Sequence, residues 1–77
     1  MNRVVDNIEK IRDKKGIKKS HIAKFCGHTP SWYTDIIKGK NRLSVDDLLL
    51  VADAMNENPA NFFSNKLSVT LSDHKTA

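Results

Sequence analysis

Cysteine occurs once in this sequence, at Cys26, so no internal disulfide can form. A single thiol agrees with a reducing compartment. Proline occurs twice and glycine three times, too few for a Gly- or Pro-rich linker, and no low-complexity segment or internal repeat is visible. Long apolar runs are missing too. No stretch approaches the roughly 18 to 20 residues that cross a bilayer, and the first dozen residues carry no signal-peptide core. The expectation is a soluble, cytosolic protein.

Catalytic patterns are equally scarce. A chain of 77 residues forms one domain that buries only about 60% of its unfolded surface, too little to enclose a large cleft. It shows no nucleophile, base and orienting group in sequence, and no phosphate-cradling glycine loop. His21, Cys26 and His28 lie close together, but their spacing fits no common zinc pattern and no fourth ligand is evident. No enzyme activity, metal or cofactor is expected, and Cys26 reads as a small apolar residue.

Positive charge is plentiful and unevenly placed. Residues 1–42 hold eleven of the thirteen Lys and Arg against four acids, a net of +7, whereas residues 43–77 hold two bases against five acids, a net of −3. Such polarity suits a first half that meets a polyanion and a second half that packs or pairs, although a solvated surface would carry it as well.

Helical periodicity accounts for most of the chain. Val4, Ile8 and Ile11 mark a first helix over residues 3–15, with Asp6 and Glu9 as a capping box and Gly16 as its stop. Ile22, Ala23, Phe25 and Cys26 mark a second, from Lys19 to Cys26, closed by Gly27. Lys18 stands where a capping Ser or Thr is preferred, so this helix starts poorly satisfied. Thr29 offers a capping hydroxyl, Pro30 takes the first helical position and Gly39 ends a third helix. Ser44 and Asp47 box a fourth, whose apolar stripe is Val45, Leu48, Val51, Ala52 and Met55. Asn58 and Pro59 repeat the cap-then-proline signal before Phe62 and Phe63, a short fifth helix. In residues 64–77 the alternation of Leu67, Val69 and Leu71 suits a strand or a tail without fixed structure.

Around the third helix, at about 100° per residue, Trp32, Tyr33, Ile36 and Ile37 fall on one side and Pro30, Ser31, Thr34, Asp35 and Lys38 on the other. Small hydrogen-bonding residues near the start of a helix, with a lysine at its end, suit the DNA major groove. They would also suit an ordinary solvated helix.

The order of these signals resembles the phage-repressor and Cro-like (Xre-type) helix-turn-helix regulators. Ile11, Arg12, Lys15-Gly16, Ile17, Ile22-Ala23, Gly27, Thr29, Ile36, Gly39-Lys40, Ser44, Leu48, Ala52, Ala54-Met55 and Phe62 fit that layout without a gap across about residues 4–63. The resemblance implies an all-α fold, a compact five-helix lambda-repressor-like domain over residues 1–63 with a short tail at 64–77. It also implies a transcription regulator, as found in phages and mobile elements, that binds double-stranded DNA as a homodimer on a palindromic operator and represses.

The resemblance places base contacts at Pro30, Ser31, Thr34 and Asp35. Backbone contacts fall to Lys19, His28, Thr29, Trp32, Lys38, Lys40, Asn41 and Arg42. Pro30 departs from the long amide or arginine common at the first reading position, and Trp32 from a small polar residue. The indole is expected to straddle the core edge and the DNA rim. Ile37 replaces the acid that in some members pairs with the residue matching Arg12, which leaves the partner of Arg12 open. Phe62, Phe63, Leu67, Val69 and Leu71 are the candidates for dimerisation. The alternative reading is a protein-interaction module, such as the antitoxin of a toxin-antitoxin pair, that holds a protein partner with Phe62, Phe63 and the tail.

Overall fold

The computed structural model describes residues 3–63. Four α-helices, α1 (Arg3–Lys15), α2 (Lys19–Phe25), α3 (Pro30–Ile37) and α4 (Val45–Met55), are followed by a 3-10 helix, Pro59–Phe63. The class is all-α as expected, with the fifth helix wound as 3-10 rather than α. The strand or tail expected over residues 64–77, including Leu67, Val69 and Leu71, lies outside the described residues.

Each helix end has a local cause. At the α2–α3 turn Gly27 takes φ +78, the left-handed region that glycine enters without penalty, and the His28 N–H returns to the Ala23 carbonyl at 2.9 Å. Asn56 ends α4 in the same region, at φ 52 and ψ 47, which asparagine tolerates better than most residues. Lys15 reaches across to that end. Its Nζ donates to the Met55 and Asn56 carbonyls at 2.9 and 3.2 Å and pairs with Glu57 at 2.6 Å, placing a cation at the negative end of a helix.

Three capping expectations resolve differently. Ser44 Oγ accepts the Asp47 N–H at 3.1 Å, so the cap of α4 forms. Thr29 occupies the N-cap of α3, but its hydroxyl makes no capping bond and lies 3.4 Å from Ser31 Oγ instead. Asp6 and Glu9 form no capping box, because α1 begins at Arg3 and both residues lie inside it. Ser44→Ala should therefore lower stability by about 1 kcal/mol, while Thr29→Ala should change it by less than about 0.5 kcal/mol. Urea midpoints followed by circular dichroism compare the two directly.

The core is wholly apolar among the described residues. Val5 and Ile8 of α1, Ile22 and Ala23 of α2, Trp32, Tyr33 and Ile36 of α3, and Leu48, Val51, Ala52 and Met55 of α4 close around Phe62. The Phe62 carbonyl accepts from Asn7 Nδ2 at 2.8 Å, tying the 3-10 helix to α1. Two expectations change here. Val45 is 74% exposed, because the first residue of α4 overhangs the core that Leu48 enters one turn later. Phe62 is fully buried within its own chain, so it cannot serve as a dimer contact, and Phe63, 60% exposed, is the one of the pair left at the surface.

Candidate nucleic-acid interface

The packing of α2 against α3 sets the geometry of the site. α2 buries Ile22 and Ala23, α3 buries Trp32, Tyr33 and Ile36, and Ile37 packs partly against the same core. The opposite face of α3 is left outward: Pro30, Ser31 and Lys38 are exposed, and Thr34 and Asp35 are half-buried at its flank. All four expected base readers thus share one surface. Lys19 is exposed at the start of α2, behind an N-cap, Lys18, whose side chain makes no capping bond.

The loop beyond α3 is held by main-chain bonds. The Asp35 carbonyl accepts the Lys40 N–H at 2.9 Å and the Asn41 N–H at 3.4 Å. These bonds keep Lys40, Asn41 and Arg42, all exposed, beside the C-terminal end of α3.

His28 has two neighbours that the sequence did not announce. Its Nε2 lies 3.2 Å from Asp47 Oδ1 on α4, and its ring stacks on Trp32 with centroids 4.2 Å apart and planes 8° from parallel. The Asp47 carboxylate, which would close a reciprocal capping box on Ser44, is turned to His28 instead. Trp32 itself is buried, 8% exposed, so most of the indole belongs to the core. The emission of this sole tryptophan should therefore be largely shielded in the free protein and should change on adding a DNA site. Emission indifferent to saturating DNA would place the whole ring in the core.

Arg12 finds its partner inside its own helix. Nε donates to Glu9 Oε1 at 2.8 Å, Nη2 to Glu9 Oε2 at 2.9 Å, and Nη1 to the Ile17 carbonyl at 2.6 Å. The Tyr33 hydroxyl donates to the same Glu9 Oε1 at 3.0 Å. The Arg12 hydrogen bond is the first cause holding the Glu9 carboxyl below its ordinary value, and burial pushes the Tyr33 phenol well above its own. The i, i+3 spacing of Glu9 and Arg12 was a readable signal. Tyr33 gave none.

Cys26 is buried, and burial pushes its thiol up to about 11, so it stays protonated at neutral pH. Among the described residues no three His, Cys, Asp or Glu side chains converge to hold a metal ion. No helix among them is long and apolar enough to cross a membrane.

Comparison with curated proteins and with solved structures finds no match. A helix-turn-helix family model matches residues 8–62, a span that runs from the middle of α1 through the α2–α3 unit to the last core aromatic. With α2, its glycine turn and the outward face of α3 in that order, the chain belongs to the Xre/Cro-like helix-turn-helix family of DNA-binding transcription regulators.

Proposed function

We propose that the protein is a cytoplasmic repressor that binds double-stranded DNA sequence-specifically, as a homodimer on a palindromic operator. The observation that carries this reading is the outer face of α3, which bears Pro30, Ser31, Thr34 and Asp35 between the exposed cations Lys19, Lys38, Lys40 and Arg42. Small polar groups at the centre suit base edges, and cations at the margin suit phosphates, which fix register while carrying little sequence information. Asp35 repels phosphate, so its use in the groove is to accept from a cytosine amino group. His28, Thr29 and Asn41 complete the backbone contacts, with Trp32 at the rim. Two copies place their reading helices in successive major grooves, roughly 34 to 36 Å apart, and Phe63 together with residues 64–77 supplies the contact between them.

A second reading draws on a separate observation. Val45, Leu49 and Phe63 are exposed apolar residues, at 74, 47 and 60%, and a protein-interaction module, an antitoxin for example, would use exposed apolar side chains of this kind to hold its partner.

Selection of bound duplexes from a random pool, followed by titrations over a salt series, separates the two. The regulator enriches one palindromic sequence with strong salt dependence, whereas a module that acts through protein contacts alone shows no salt-sensitive binding. Within the regulator, Lys19→Ala and Lys40→Ala should weaken binding to all duplexes alike, each lowering the salt slope by about one unit. Altered base preference with an intact slope would refute their assignment to phosphates.

A further inference from the structure

Three parts of the fold meet at the Glu9 carboxylate. Arg12 grips both of its oxygens, at 2.8 and 2.9 Å, and ties the pair to the α1–α2 connection through the Ile17 carbonyl. Tyr33, 2% exposed on the inner side of α3, donates to Oε1 at 3.0 Å. The Lys19 ammonium also acts on this carboxylate, so the start of α2 belongs to the same electrostatic neighbourhood. Apolar contacts hold α3 at a distance from α1 but tolerate small rotations. A hydrogen bond to a fixed, charge-paired acceptor does not, because its energy falls steeply with angle and length. Tyr33 lies two positions after Ser31 and directly before Thr34 on the same helix, so turning α3 about its axis moves every reading side chain at once.

We propose that Glu9, braced by Arg12, is a positioning residue that sets the rotation of the reading helix through the Tyr33 hydroxyl, and so governs base discrimination rather than attraction to phosphates. The proposal rests on α3 being the DNA-reading helix. Its test uses the full chain, the selected operator and a scrambled duplex of equal length.

Tyr33→Phe removes the hydroxyl and keeps the ring in the core. Its affinity for the operator should fall about tenfold, the scale of losing one base contact, while its affinity for the scrambled duplex and its salt slope stay at wild-type values. Glu9→Ala should lose discrimination to the same extent, and the double variant should discriminate no worse than either single change, since both remove the same Tyr33–Glu9 bond. If Glu9→Ala fails to fold, Tyr33→Phe carries the test alone. Equal weakening on both duplexes would mean a merely structural bond and overturn the proposal, as would an unchanged ratio of operator to scrambled affinity. A wild type with no preference among duplexes overturns the regulator reading itself, and the proposal with it.

Discussion

Phe62→Ala should remove most of the protein's stability. The ring is fully buried at the point where α1, α4 and the 3-10 helix meet, and truncating a buried phenylalanine costs about 3 to 5 kcal/mol through lost transfer energy and the cavity left behind. Small domains possess little more than about 5 kcal/mol of stability in total. Phe63→Ala, next in sequence but 60% exposed, should change stability by less than about 0.5 kcal/mol. Thermal unfolding of the two variants gives the contrast. Equal losses would mean that the 3-10 helix does not turn Phe62 inward.

Arg12→Ala should be the most damaging polar change, at about 2 to 3 kcal/mol. Breaking a buried pair by removing one partner costs more than that, but the Glu9 side chain is 29% exposed, so solvent screens part of the stranded charge. Removing that charge as well, in Glu9→Gln/Arg12→Ala, should recover part of the loss. The sign of the pH dependence follows from the lowered carboxyl value. A depressed folded value means that Glu9 stabilises the fold fully above the ordinary carboxylate range, and that this contribution is lost as pH falls through the lowered one. Without Arg12 the carboxyl is no longer held down, so wild type should lose more stability on acidification and the gap between the proteins should narrow. Denaturant midpoints at neutral and acidic pH measure it.

Helix boundaries were legible because their causes are local. Gly16, Thr29-Pro30, Ser44 and Asn58-Pro59 each act within one turn of chain, and the observed elements begin and end beside them. The outward face of α3 was legible for a similar reason, since rotation about a helix axis needs only sequence spacing. What failed depended on where the core lies or how a side chain turns. Val45 fits the apolar stripe of α4 but sits a turn too early to reach the core. Thr29 has the hydroxyl that a cap requires and points it elsewhere, while Ser44, with the same chemistry, does not. Of two adjacent phenylalanines, only the tertiary fold selects Phe62. The ties from Glu9 to Tyr33 and from His28 to Asp47 span 24 and 19 residues, beyond any local pattern.

The turn at Gly27 limits which sequences this fold can drift through. A Cβ added there would meet nothing within 4 Å, yet the residue sits at φ +78, so the restriction is one of torsion and not of volume. Most L-residues lose about 1 to 2 kcal/mol in that region, and asparagine less. The chain already makes this substitution at its own Asn56, where α4 ends with φ 52. Asparagine is thus the least costly replacement for Gly27. Valine, though there is room for it, would strain the turn between α2 and α3.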